Sequence, residues 1–281
     1  MIAILLGLGS GLCWGVGDFL GGLQSRRMPV MSVTLWSQFA GGVAIALVLI
    51  TMGEPLNSSG VGWAAIAGVC GVGGLLSFYR GLAVGPMSIV APVSACGAIV
   101  PLIVSTLLGR LPGIWAMIGI AVAMIGVVLV SLSGEDGETS VADSRLGLLL
   151  AFGAATGFGL FFVLLDWSRG AGTSPLWTVG IARFMSVVLI LTVALIGRIH
   201  VPWPGAQMGR VALVGIFDTS ANVLFVLAAS VGNLAVVSVL GSVYPVSTVI
   251  LARLVLGERL ALRQGSGVVL ALAGVSLMAV G

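Results

Sequence analysis

The chain has 281 residues, of which 59% are apolar and only 7% charged; its 12 basic residues are all arginine, and against nine acids they leave a formal net charge of +3. Soluble domains carry about 25% charged residues, so a water-soluble fold of this size is excluded. With no basic face and no basic patch interleaved with aromatics, nucleic acid is excluded as a partner.

In lipid the useful count is of apolar stretches about 20 residues long. Ten are expected, near 2–23, 31–52, 62–83, 87–108, 113–133, 145–165, 175–196, 209–230, 234–256 and 263–280. The first lacks a basic leader and a cleavage signal, so it reads as a retained helix. Gly7, Gly11 and Gly15 form a small-residue stripe along it, on which another helix can close. Trp14 lies deep in this span, where it can stack on a ligand, and Asp18 lies toward its end. Asp18 has two readings: a coupling carboxylate, or an interfacial one reaching water near Arg26 and Arg27. In the third span Tyr79 and Arg80 approach the helix end, where Arg80 can snorkel.

Pro92 and Pro101 interrupt the fourth span and Pro245 the ninth. Each removes an N–H and frees the carbonyl four residues earlier, which membrane depth tolerates only against protein or water. Ser94, Cys96 and Gly97 in one span, and Gly241, Ser242 and Tyr244 in the other, would line a site there; the alternative is a plain kink. Between the fifth and sixth spans, the linker 134–144 holds four of the nine acids.

Arg183 in the seventh span and Asp218 in the eighth both lie well inside apolar runs, and an ionisable group at that depth needs a partner or a wet cavity. They read either as a structural ion pair or as a site for solute or proton. Asn222 follows Asp218 by four residues and shares its face. Most of the seven tryptophans lie near span ends, as interfacial anchors do. Cys13, Cys70 and Cys96 sit in apolar runs without CxxC spacing or a nearby His, so neither metal site nor disulfide frame is indicated, and no cofactor is implied.

Sliding the second half over the first gives matches at an offset of 144 to 148: Trp14-Gly15 on Phe158-Gly159, Gln38-Phe39 on Arg183-Phe184, Leu108-Gly109 on Leu256-Gly257, and Gly119 with Gly126-Val127 on Gly267 with Gly274-Val275. A duplication of five spans, 1–133 and 145–281, inserts the second copy from the opposite side, as in the inverted repeats of secondary transporters. The expected fold is therefore an all-α membrane protein, ten transmembrane helices as two inverted five-helix repeats.

Ala182-Arg183-Phe184-Met185, Phe78-Tyr79-Arg80-Gly81-Leu82-Ala83-Val84-Gly85, Leu256-Gly257-Glu258-Arg259-Leu260 and the recurring Gly-x6-Gly-Val, taken in order over nearly the whole chain, resemble the EamA-type transporters of the drug/metabolite transporter superfamily. The resemblance implies a ten-helix inverted-repeat exporter of amino acids, metabolites or toxic compounds, usually in a bacterial inner membrane and often driven by protons. The first half departs from the pattern: Gln38 stands where the family often has Arg, and Arg110 where it often has Glu.

The expected function is secondary transport of a small solute by alternating access. Candidate solute contacts are Trp14, Gln38, Tyr79, Ser94, Arg183, Asn222, Ser242 and Tyr244; candidate proton-coupling carboxylates are Asp18 and Asp218. The alternatives are a passive channel and a non-transporting scaffold. An enzyme is disfavoured: His200, the sole histidine, lies in a loop, and neither GxSxG nor HExxH occurs. Odd-numbered loops hold seven arginines against two in even-numbered ones, which places both termini outside, whereas the resemblance implies both inside. Orientation and oligomeric state stay open.

Overall fold

The structure, a computed structural model, describes residues 1–25, 27–84, 93–131, 141–256 and 262–280. The described residues are helical throughout, apart from short connections: α1 (Ile2–Ser25), α2 (Val30–Met52), α3 (Val61–Val84), α4 (Ile99–Leu107), α5 (Ile114–Ser131), α6 (Val141–Gly170), α7 (Pro175–Ile196), α8 (Met208–Val231), α9 (Leu234–Gly241), α10 (Tyr244–Leu256) and α11 (Leu262–Val280). Among them, six helical stretches are long and apolar enough to cross a membrane and three further apolar ones are shorter. Helix ends carry the expected signals. Ser174 caps α7 by accepting from the Trp177 N–H with Pro175 following it, Asn233 caps α9 through the Ala235 N–H, and Gly53 closes α2 at a φ of 62°.

Burial is inverted relative to a soluble protein. Leu107, Leu195 and Ile196 are 77% exposed or more, whereas Ser10, Gln38, Arg183, Asn222 and Ser238 are no more than 6% exposed. Large apolar side chains on the outside and polar ones within are what a lipid-facing bundle with a polar interior requires.

The packing joins one half to the other. α1 lies on α8, α3 on α6, α2 on α8, α3 on α7, and α5 on α11. Exchanging each first-half helix for its sequence-matched counterpart converts α1–α8 into α6–α3 and α2–α8 into α7–α3, and returns α2–α7 and α5–α11 to themselves. Glycines of the recurring Gly-x6-Gly-Val make close approaches between α5 and α11. A Cβ on Gly119 would lie 2.6 Å from the Gly274 carbonyl, and one on Gly274 would lie 2.6 Å from the Gly119 carbonyl. Only a residue without Cβ lets two backbones come this near.

Three expectations shift in the structure. The sixth span runs from Val141 to Gly170 rather than 145–165, prolonged at its far end by the Asp166–Arg169 pair at i, i+3 (2.9 Å). Pro101 does not break a helix: it sits in the first turn of α4, where a missing N–H costs little. The irregularity falls just before it, as a 3₁₀ turn over Cys96–Ala98. The ninth span is divided, α9 ending at Gly241 and α10 opening at Tyr244 with Pro245 in its first turn. Pro92 lies outside the described residues, as do Arg26, most of the acidic linker and the 257–261 part of the Leu-Gly-Glu-Arg-Leu motif.

Candidate functional site

Helix spacing alone brings most of the polar groups together. Thr34, Ser37 and Gln38 fall at i, i+3, i+4 on α2, and Asp218 and Asn222 at i, i+4 on α8, so each set forms one face. These faces meet with α1, α3, α6, α7 and the two irregular spans around a cavity of about 130 Å³, room enough for several water molecules or a small solute. On α1, α2 and α3 the lining residues sit from mid-helix to the end at which α1 and α3 finish and α2 begins.

Asp218 is the hub. Its Oδ1 accepts from the Trp14 indole Nε1 at 3.0 Å, and its Oδ2 accepts from Gln38 Nε2 at 3.0 Å and from Arg183 Nη1, with which it forms an ion pair. The same Arg183 Nη1 donates to Gln38 Oε1. One carboxylate thus ties together α1, α2 and α7 from its seat on α8. Gln38 and Arg183, matched to each other by the repeat, meet across the line between the two halves. Charge-assisted bonds of this type are about twice as strong as neutral ones, which offsets the cost of holding a guanidinium 94% buried.

Some hydrogen-bonding capacity is left over. Arg183 Nη2 is buried without a partner among the described residues, and so is Asn222 Oδ1, whose Nδ2 donates to the Asp218 carbonyl at 2.7 Å. Both residues line the cavity. Asp18 lines it too and makes no ion pair or hydrogen bond among the described residues. The Asp18 carboxylate faces the cavity, and the exposed Arg27 is not paired with it; Arg26 lies outside the described residues. A buried donor and acceptor without partners in a polar cavity are groups that water or solute must satisfy.

Of the expected contacts, Trp14, Gln38, Ser94, Arg183, Asn222, Ser242 and Tyr244 all line the cavity. Tyr79 belongs to α3, but its side chain lies outside the described residues. The residues missed by sequence reasoning are Thr34, Ser37 and Ser186 and the aromatic wall of Phe78, Phe158, Phe161 and Phe162. Phe158, Phe161 and Phe162 carry an i, i+3, i+4 spacing that was available as a signal, although the same spacing marks ordinary core. Trp14 and Phe225 pack on Phe162, with ring centroids 5.4 and 4.5 Å away.

Glycines let neighbouring helices pack directly on the carbonyls of the irregular spans. A Cβ on Gly159 would lie 2.5 Å from the Gly97 carbonyl, and one on Gly11 would lie 2.7 Å from that of Leu240 and 3.2 Å from that of Gly241. Gly11, at the middle of the α1 stripe, makes this approach, while Gly7 packs on the Leu240 side chain.

At the end of the bundle where α1 begins, connections are hydrogen-bonded to one another. Thr173 Oγ1 accepts from the Gly60 N–H and donates to the Asn57 carbonyl, both at 3.0 Å; Trp177 Nε1 donates to the Glu54 carbonyl at 2.9 Å; and Asn233 Nδ2 donates to the Arg110 carbonyl at 3.0 Å. Trp63 meets Trp167 edge-on, centroids 5.1 Å apart, at the same end. Among the described residues no cluster of His, Cys, Asp and Glu forms a metal site.

The family described as "EamA-like transporter family" matches residues 1–132 and again 145–280. A solved structure titled only "Crystal structure of protein" superposes with a TM-score of 0.78 over 98% of this chain and 95% of that one, at 18% identity, and so shares the fold. No curated protein matches by sequence.

Proposed function

Since this chain belongs to the EamA-like transporter family, we propose that it is a secondary carrier that exports a small metabolite, such as an amino acid or related compound, by alternating access, in the bacterial inner membrane. In this reading the halves 1–133 and 145–281 are inverted five-helix repeats joined by the 134–144 linker, and all ten segments span the bilayer. The observation that carries the reading is the cavity between the halves. It is held by an Asp218–Arg183–Gln38–Trp14 network whose members come from four helices, and it has donors and acceptors to spare.

Binding that rearranges this network changes how α1, α2, α7 and α8 are tied, and those helices belong to both halves. Asp218 accepts from three donors, whereas Asp18 has none among the described residues; a coupling proton is therefore assigned to Asp18, and to Asp218 when Arg183 releases it. A passive channel needs a path open at both ends, and the hydrogen-bonded connections at the α1 start favour a carrier instead.

The test is counterflow in proteoliposomes loaded with unlabelled amino acids, amines and related metabolites, with and without an imposed pH gradient. At least one labelled solute is expected to accumulate transiently, and Asp18→Asn to abolish the response to the gradient. Failure of every solute to exchange, with protein shown to be folded, would overturn the carrier reading.

A further inference from the structure

Counting formal charges around the cavity gives an asymmetric result. Among the described residues its walls hold two carboxylates, Asp18 on α1 and Asp218 on α8, and one cation, Arg183 on α7; the described lining residues of α2, α3, α6 and the two irregular spans are of types without a formal charge. Residues 85–92, which lie outside the described set, contain no ionisable side chain. Asp218 and Arg183 neutralise each other, so in formal charges the described walls keep one carboxylate without a cationic partner, Asp18.

The repeat shows where the missing cation would have stood. Gln38 is the position matched to Arg183 and touches it directly. An arginine there would balance the second carboxylate, while a neutral amide leaves it available.

We infer that the cavity is built for a monovalent organic cation, an ammonium group on an aromatic or otherwise apolar frame, and that Gln38 sets this preference by its neutrality. Asp18 supplies the counter-charge. Asn222 Oδ1, a buried acceptor without a partner, supplies a neutral hydrogen-bond acceptor for the N–H groups. Phe158, Phe161, Phe162 and Trp14 offer ring faces to the frame and to the charge. An anionic solute would meet two carboxylates and a guanidinium already engaged, and a zwitterion would leave the excess charge in place. The inference rests on the carrier reading for the use of the cavity but not for its charge.

The experiment uses the full-length protein in detergent and a charge series on one frame: phenethylamine, phenylalanine, phenylacetate and benzyl alcohol. Binding is measured by calorimetry and by thermal stabilisation. Phenethylamine is expected to bind at least about tenfold tighter than the other three, the loss of a charge-assisted contact being of that size or larger. Asp18→Asn and Gln38→Arg, which remove the net charge from different helices, should each weaken the amine by at least about tenfold and leave benzyl alcohol within about twofold.

Tighter binding of phenylalanine or phenylacetate by the unmodified protein would overturn the inference, as would an amine affinity unchanged in both variants. If the variants do not fold, the series on the unmodified protein decides alone. Counterflow separates the two readings. An amine that binds in the predicted order but is not carried sinks the carrier reading and keeps the charge assignment, whereas a carried solute with no amine preference does the reverse.

Discussion

Removing Asp218 should cost more than removing its partner, although the ion pair between them is one interaction. The Arg183 side chain is 7% exposed and that of Asp218 is 27% exposed, on the side of the cavity. In Asp218→Ala a guanidinium is left deep in the bundle without the carboxylate bonded to it, with only the unbonded Asp18 in the same cavity, its Nη2 already unpartnered, and Trp14 Nε1 and Gln38 Nε2 lose their acceptor. Stranding a buried charge costs about 3–5 kcal/mol. In Arg183→Met the stranded group is a carboxylate that still accepts from Trp14 and Gln38 and can be wetted from the cavity, so the cost falls to about 1–3 kcal/mol. In the double variant neither charge is left alone, and its cost should lie at least about 1 kcal/mol below the sum of the two. The assay is reversible unfolding in mixed micelles by titration with a denaturing detergent, run on all four proteins. A loss in Arg183→Met equal to or above that in Asp218→Ala would refute the asymmetry, and strict additivity would show that the two side chains do not depend on each other.

The helix seam between α5 and α11 should reject any side chain: Gly274→Val forces backbone apart and is expected to lose about 1–3 kcal/mol in the same assay. Gly73→Ala on the open face of α3 meets nothing within 4 Å and should be neutral or gain about 0.5–1 kcal/mol from helix propensity. Trp14→Phe keeps an aromatic ring against Phe162 and Phe225 but loses the N–H to Asp218, and is expected to reduce initial counterflow rates by about tenfold, the worth of one bond to a charged acceptor. With Cys13, Cys70 and Cys96 replaced, Asn57→Cys combined with Thr173→Cys should lock the tied end when oxidised, stopping counterflow until a reductant is added; full flux in the cross-linked protein would mean that this end need not open.

Much of the architecture could be read from hydropathy because lipid demands long apolar runs, and six of the helical stretches meet that demand outright. The fourth and ninth segments were harder. Prolines marked both as interrupted, but only the structure places the division at Ser242 and Val243 and the 3₁₀ turn at Cys96–Ala98. Arg183 and Asp218 stood out because ionisable groups are rare in this chain, and Asn222 followed from helical spacing. Gln38 was visible only through the repeat. Ser37 and Ser186 were not visible, and the spacing of Phe158, Phe161 and Phe162 did not tell site from core, because the rotation of each helix about its own axis is set by its neighbours, and no single segment encodes it.

The meeting of Gln38 with Arg183 carries a lesson about ancestry. When a duplicated gene folds so that the same position of each copy touches, any ionised residue at that spot first confronts its own twin. Two guanidinium groups there would repel unless nearby carboxylates compensate them, so a neutral amide in one copy relieves a contact that the repeat itself creates. The first functional difference between two fused copies is thus to be sought where they shake hands.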